Sequence, residues 1–196
     1  MLKDELYLPD IIFNSISEVT PEFLREHGIK GVLCDTDNTL ALDNRKDIIP
    51  EAAEWVKLMK QEGIKVCVMS NAFLVRNWPV IKALDIEFYQ TRSHKPRQWY
   101  YEPLTRKMGL KHGEVAFLGD QMKTDIVGAN RADILSMYVM PYAFETNPFY
   151  KNIFKKRRAV ERKIFKIYNE LHGTRFDFPE HIKAEMYEED LQECVY

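Results

Sequence analysis

Short apolar runs alternate with segments of helical period through the middle of the chain, the pattern of a parallel α/β sheet. Gly31-Val-Leu-Cys34 predicts a first buried strand and Lys65-Val-Cys-Val-Met69 a second. Ile86-Glu-Phe-Tyr89 is a weaker third, and Val115-Ala-Phe-Leu118 and Leu135-Ser-Met-Tyr-Val-Met140 are a fourth and fifth. Between them, Pro50 to Gln61 repeats at helical spacing and places Ala53, Val56 and Leu58/Met59 on one side. Pro50 suits the first turn, where a missing N–H costs nothing, and Gly63 suits the stop. Trp99 to Met108, ended by Gly109, and Asp125 to Ala132 are shorter helix candidates. Ahead of the first strand, Thr20-Pro21 reads as a helix N-cap with proline at the next position, and Gly28 closes that helix. The expected fold class is α/β, a Rossmann-like parallel sheet flanked by helices. Residues 1–30 form a helical extension packed on the core, 31–145 the main domain, and 146–196 a basic helix and an acidic tail.

The pattern changes in the last fifth. Residues 151–175 hold nine Lys/Arg against two Glu, and 176–196 hold seven Asp/Glu against one Lys. Ile153, Val160, Ile164, Ile167 and Leu171 recur at helical spacing in the basic part, so a C-terminal basic amphipathic helix is expected. The acidic end reads as a solvated or loosely packed tail, and its acids are candidates to fold over the basic helix. The chain as a whole is balanced: 196 residues, 45% hydrophobic, 30% charged, formal charge −2. That length supports a core without disulfides, and the charge excludes a uniformly basic nucleic-acid coat. Three cysteines, Cys34, Cys67 and Cys194, stand far apart without a CxxC, which suits a reducing compartment. No run approaches eighteen apolar residues, and the acidic N-terminus lacks the apolar region of a signal peptide. The expected location is cytoplasmic, with peripheral contact to a membrane left open.

Four polar features follow the carboxyl ends of the expected strands, where open α/β sheets place their ligand crevice. Asp35-Thr-Asp37-Asn-Thr39 leaves the first strand with two carboxylates one residue apart. A polar turn would use the same residue types, and an EF-hand fits less well, because Leu40 stands where that loop needs glycine. Ser70-Asn71 leaves the second strand, where a hydroxyl and a backbone N–H can hold phosphate oxygens; a helix N-cap is the ordinary alternative. Lys95-Pro96 keeps its lysine out of a helix, and His94 beside it reads as a surface residue. Gly119-Asp120-Gln-Met-Lys-Thr-Asp125 places a carboxylate at a strand end and another about one turn on. Carboxylates clustered with Asp35 suit Mg²⁺, which takes few protein ligands besides water and phosphate. Each feature has a bland explanation, but four in one order, each at a strand end, point to a site.

In these residues the chain resembles the haloacid dehalogenase superfamily of aspartyl-phosphate-forming phosphatases. DxDxT at 35–39, Ser70, Lys95 and GDxxxxD at 119–125 match its four motifs in order. The nearer likeness is to the bacterial YqeG-type, phosphatidylglycerophosphatase-related branch of the class IIIA phosphatases. It is carried by Asp35 to Leu40, Val68-Met-Ser-Asn71, Lys95-Pro96, Gly119 to Asp125, Gly128-x-Asn130-Arg131 and the leading Leu8-Pro9-Asp10. The resemblance implies Asp35 as nucleophile, Asp37 as general acid and then base, and Lys95 as the counter-charge. It implies Ser70, the Asn71 N–H and Thr39 around the phosphate, with Thr39 orienting the Asp loop by hydrogen bonding. Asp35, the Asp37 carbonyl and Asp120 would ligate Mg²⁺, and Asp125 would support the metal or orient Lys95. Thr36 departs from the apolar residue common in the family, which makes the surroundings of Asp35 more polar.

Spacing bears on the substrate. About thirty residues separate Asp37 from Ser70 and twenty-four lie between Ser70 and Lys95, which a helix and a strand use up, so no large cap domain is expected. An open site admits bulky phosphates, and the resemblance implies phosphatidylglycerophosphate as the first of them to test. The basic stretch at 149–171, with Phe149, Tyr150, Phe154 and Phe165, is a candidate surface for a membrane or for RNA. The alternative function is an RNA- or ribosome-associated binding protein with a vestigial or secondary phosphatase site. A receiver-like phosphoacceptor fits less well, since its acceptor acid should follow the third strand.

Overall fold

In the computed structural model of the chain, residues 5–42, 47–143 and 148–184 are described, the stretch 148–155 by its helical backbone alone. Six strands build one sheet: β1 (Ile11–Phe13), β2 (Gly31–Cys34), β3 (Lys65–Met69), β4 (Phe88–Gln90), β5 (Val115–Gly119) and β6 (Leu135–Val139). All pairings are parallel, in the order β1-β6-β5-β2-β3-β4. From β2 the chain steps outward to β3 and β4, then crosses back and steps the other way through β5 and β6. The direction of travel reverses between β2 and β5, and the crevice of such a sheet opens at that point.

The helices are α1 (Pro21–Glu26), α2 (Pro50–Gln61), α3 (Leu74–Ala83), α4 (Tyr101–Lys107), α5 (Val127–Arg131), α6 (Pro148–His172) and α7 (Glu180–Lys183). Strand side chains alternate between the two faces of the sheet. Val32, Cys34, Val66 and Val68 meet Ala52, Trp55, Val56 and Met59 of α2 on one face. Leu33, Cys67, Met69 and Phe117 meet Tyr101, Leu104 and Met108 on the other. Both faces are covered, so these strands are near-continuous apolar runs rather than alternating ones. The start of α1 is as expected: Thr20 Oγ1 accepts the Phe23 N–H at 3.1 Å, and Gly28 leaves the helix at φ 70°.

Several elements differ from the sequence expectation. The first thirty residues contribute the edge strand β1 as well as helix, paired with β6 from Ile11 opposite Met137. Asp10 fixes that register, its Oδ2 accepting the Ser136 N–H at 2.7 Å and the hydroxyl at 2.9 Å. β4 lies at Phe88–Gln90 rather than 86–89, and the helix that the spacing between Ser70 and Lys95 leaves room for is α3, with Pro79 inside it. In α2 the buried set is Ala52, Trp55, Val56 and Met59, while Leu58 is exposed, because the Trp55 indole N–H reaches the Val19 carbonyl at 2.7 Å and pins that face inward.

The C-terminal helix forms, and its buried face is only in part the one the aliphatics mark: Ile164 is buried and Ile167 half-buried. Val160 and Leu171 are exposed, whereas Arg158, Glu161, Phe165 and Tyr168 are buried. Phe165 packs edge-on to Tyr138 and Phe178, so it belongs to the core and not to a docking surface. The beginning of the acidic segment is packed as well. Phe178 and Ile182 are buried, and Asp177 pairs with Arg162 at 3.1 Å and Lys183 at 3.0 Å. Glu180 is exposed and pairs with Lys183 at 2.9 Å; the acids from Glu185 on and Cys194, like the side chains of Phe149, Tyr150, Ile153 and Phe154, lie outside the described residues. Among the described residues, no helix is long and apolar enough to cross a membrane.

Candidate active site

The two central strands deliver carboxylates to the same crevice. β2 runs into Asp35, whose N–H donates to Leu118 of β5 at 2.9 Å, so the ladder continues one residue beyond the strand and fixes where the side chain emerges. The loop then turns back, Leu40 and Ala41 each donating to the Thr36 carbonyl at 3.0 Å. Asn38 takes a left-handed φ of 55°, which asparagine tolerates better than most residues. Asp35 is buried and Asp37 half-buried at the mouth. The expected holding role of Thr39 is not seen: its Oγ1 is buried with no hydrogen-bond partner, as is that of Thr36, and backbone bonds hold the loop.

Lys95 arrives from the loop after β4. Its ammonium lies 2.8 Å from Asp35 Oδ1 and 2.8 Å from Asp125 Oδ1, above the Phe117 ring. Burial alone would lower its pKa, but Asp125 and Asp35 outweigh that and hold it above the ordinary lysine range. Asn71 clamps this lysine from the β3 side: Asn71 Oδ1 accepts the Lys95 N–H at 2.6 Å and the Ser93 hydroxyl at 3.0 Å, and Nδ2 donates to the Lys95 carbonyl at 3.0 Å. That side-chain role was not legible in the sequence, which suggested only the Asn71 N–H. Ser70 is buried beside it, its Oγ accepting the Ala72 N–H at 3.2 Å while its own proton remains to be donated. It is no helix cap, since α3 starts at Leu74 behind Phe73. His94 is exposed, as expected.

After β5 the chain makes one π-helical turn, Met122–Ile126, a form concentrated at functional sites. The turn folds Asp125 back over Gly119, where a Cβ would stand 2.7 Å from the Asp125 Cγ, so only glycine fits. Asp125 Oδ2 accepts the Gln121 N–H at 3.0 Å, leaving Oδ1 for Lys95. Asp125 thus contacts the Lys95 ammonium directly. Asp35, Asp120 and Asp125 each place an oxygen within 4.8 Å of the other two.

Asp120 has a partner the strand-end motifs do not contain. Arg158 of α6 donates to the Asp120 carbonyl and to Oδ2, each at 2.5 Å, and pairs with Glu161 at 2.7 Å. Glu161 in turn accepts the Met122 N–H at 3.0 Å and the Tyr138 hydroxyl at 3.3 Å. One signal was available: Arg158 and Glu161 are three apart and in phase with Phe165 and Tyr168, charged residues on the helix face that must be buried. Burial raises Asp120 to about 7 against the pull of Arg158, with Asp125 and Asp35 adding to the rise. Burial likewise raises Asp125 to about 6, against Lys95. Asp120 Oδ1 is left buried without a hydrogen-bond partner. An orphaned buried oxygen among three clustered carboxylates fits a hard divalent cation, which takes oxygen donors only.

Comparison with known proteins finds relatives by sequence and similar chains by fold. A family model described as haloacid dehalogenase-like hydrolase matches residues 7–133. The probable phosphatase YqeG of Bacillus subtilis is 36% identical over 164 residues, 84% of this chain and 92% of that protein. A phosphatidylglycerophosphate phosphatase 1 of Arabidopsis thaliana is 27% identical over 85% of this chain, which spans about half of that longer protein (49%). Among solved structures, the cobalt-bound deoxy-D-mannose-octulosonate 8-phosphate phosphatase of Haemophilus influenzae aligns at TM-score 0.48 and 18% identity, covering 64% of this chain and 75% of that one.

Proposed function

The chain belongs to the haloacid dehalogenase-like hydrolases and is a phosphatase of that family; on that premise we propose that it hydrolyses phosphomonoesters through an aspartyl-phosphate on Asp35, with Mg²⁺ as its metal. The observation that carries the reading is the contact of the Asp35 carboxylate with the Lys95 ammonium beside the unpartnered Asp120 oxygen. Asp35 would attack phosphorus while the bond to the leaving oxygen breaks and Asp37 supplies that oxygen with a proton. Water then attacks the acyl phosphate, Asp37 takes its proton, and Asp35 is regenerated. The Ser70 hydroxyl and the Asn71 N–H would donate to phosphoryl oxygens, and Lys95 would offset the charge that builds on them. Asp35, the Asp37 carbonyl, Asp120 and Asp125 would hold or orient the Mg²⁺, which when bound neutralises part of the phosphate charge.

Between Asp37 and Lys95 the described residues form α2, β3, α3 and β4, which are elements of the core rather than a cap. A cleft of about 500 Å³ opens beside Asn38 and Thr39, reaching Asn14, Tyr142 and His181. Asp35, Ser70 and Lys95 do not line that cleft, and it is the likeness to a phosphatidylglycerophosphate phosphatase that makes phosphatidylglycerophosphate the substrate to try first. The test is phosphate release with Mg²⁺ by wild type and Asp35→Asn. The panel holds p-nitrophenyl phosphate, sugar phosphates, nucleotides, a phosphopeptide and phosphatidylglycerophosphate in mixed micelles. Turnover of the lipid alone, lost in Asp35→Asn, supports both the chemistry and the substrate. Weak turnover of everything keeps the chemistry and removes the lipid. No turnover by folded protein favours an RNA-associated binding role instead.

A further inference from the structure

Two loops leave the carboxyl edge of the sheet on the lysine side of the site, one after β3 and one after β4. The Arg92 N–H ties them together by donating to the Ala72 carbonyl at 2.9 Å. The first carries exposed apolar side chains: Phe73 is 60% exposed, Val75 81% and Trp78 48%, the last packed edge-on to Tyr89, with Leu74 exposed beside them. Leu74 and Trp78 are one turn apart in α3, with Val75 between them, so these three share a helix side next to Phe73. The second loop carries Trp99, 61% exposed. Arginines accompany the rings: the Arg92 guanidinium stacks on Phe73 at 5.1 Å and that of Arg97 on Trp99 at 4.7 Å.

The local charge is one-sided. From Ser70 to Leu84 and from Phe88 to Tyr101 there is no Asp or Glu, and besides Lys95, which is buried against Asp35 and Asp125, Arg76, Lys82, Arg92 and Arg97 fall within those stretches, with Asp85 and Glu87 in the turn between them. The chain as a whole carries 30 acids against 28 bases, so the local excess does not follow from composition. An exposed aliphatic and aromatic patch of this kind marks a contact surface. Tryptophan and arginine are residues whose rings and stems favour the lipid–water boundary, and cations there are drawn to anionic headgroups.

We propose that this surface, Phe73-Leu74-Val75 with Trp78 and Trp99 and the arginines among them, docks the protein on an anionic lipid bilayer. Both loops also bear site residues, Ser70 and Asn71 on one and Lys95 on the other, so docking brings the phosphate-holding side of the crevice to the headgroup plane. The surface is distinct from the basic helix α6, whose Arg158 and Phe165 are buried. The inference gives the phosphatase reading a setting for its substrate and rests on that reading only for this purpose.

The test is co-sedimentation of the full chain with vesicles of phosphatidylcholine alone, and of phosphatidylcholine and phosphatidylglycerol in equal parts. Neither lipid is a phosphomonoester, so binding is read independently of hydrolysis. Wild type should bind the anionic vesicles at least about tenfold better, and the preference should fade as salt screens the headgroups. Val75→Ser with Trp78→Ser should weaken that binding about tenfold or more by removing the inserted apolar groups. Arg92→Asn with Arg97→Gln should lower only the preference for the anionic vesicles. None of the four side chains touches the site, so p-nitrophenyl phosphate turnover should match wild type; Arg92 and Arg97 are exposed and their variant should melt as wild type, while loss of the half-buried Trp78 ring from Tyr89 should lower the melting temperature by only about a few degrees. Equal binding by wild type and the Val75/Trp78 variant overturns the proposal, as does no binding at all. Loss in that variant of RNA binding or of self-association, with vesicle binding intact, also overturns it. Vesicle binding without phosphatase turnover would sink the catalytic reading and leave the surface standing.

Discussion

Arg158 is the residue whose removal should hurt most outside the reacting groups. Its guanidinium is buried and serves two buried carboxylates, meeting Asp120 Oδ2 at 2.5 Å and Glu161 Oε2 at 2.7 Å, with a further bond to the Asp120 carbonyl. Arg158→Met keeps most of the stem volume and deletes the charge, leaving Asp120 and Glu161 without their cation. Breaking a buried pair in this way costs about 3–5 kcal/mol, a large share of the roughly 5–15 kcal/mol that holds a domain together. For a chain of this size that corresponds to a fall in melting temperature of roughly 6–20 °C. The loss should depend on pH. Burial already raises Asp120 to about 7, and without Arg158 it rises further. A carboxyl raised above its unfolded value takes up protons on folding, so its penalty is small at acid pH and grows as pH rises. Thermal denaturation in EDTA at pH 5.5 and pH 8 should therefore show the larger deficit at pH 8. In a Glu161→Gln background the same substitution should cost less, since only one carboxylate is orphaned. A variant that melts within about 2 °C of wild type at pH 8 would refute the view that the C-terminal helix is anchored through this network.

Gly119→Ala places a methyl group against the Asp125 carboxylate; phosphate release should fall at least about tenfold, through displaced Lys95, with folding retained. Wild-type turnover in that variant would show that the Asp125 position is not critical. At the C-terminus, burial pushes Asp177 up, but Lys183, the Phe178 N–H and Arg162 outweigh it and hold the carboxyl below its ordinary range. A carboxyl lowered by folding stabilises above its unfolded pKa, and that stabilisation disappears as pH falls through the folded value. Asp177→Asn should mimic the acid state at neutral pH and speed hydrogen exchange several-fold across residues 174–184, with no change at β2 or β5. Unchanged exchange there would mean that Phe178 and Ile182 hold the segment without the ion pairs.

What could be read from the chain depended on how local the physics was. The central strands are apolar runs bounded by polar turns, and burial on both faces follows from any parallel packing. Asp35, Ser70, Lys95 and Asp120 stand at strand ends because the chain must turn there, so order and spacing alone placed them on one edge. Thr20 acts through its hydroxyl on a backbone N–H three residues on, and Gly28, Gly63 and Gly109 through their own backbone at positive φ, so all four were equally legible.

The remainder was decided by contacts between residues far apart. β1 is three residues long, too short to carry a period, and exists because Asp10 meets Ser136 across 126 positions. The inward face of α2 was settled by the Trp55 bond to Val19, and that of α6 by a charge: Arg158 turns inward because Asp120 and Glu161 can pair with it. Hydropathy ranks an arginine as exposed, and only the folded crevice supplies the carboxylates that reverse this. Asn71 follows the same logic, a polar residue at a strand end whose task is set by a lysine twenty-four residues on. Sequence by itself determined the sheet and the chemistry at its edge, since these depend on local pattern and order. The tertiary structure decided which side chains hold that chemistry in place, because a buried polar group is defined by its partner.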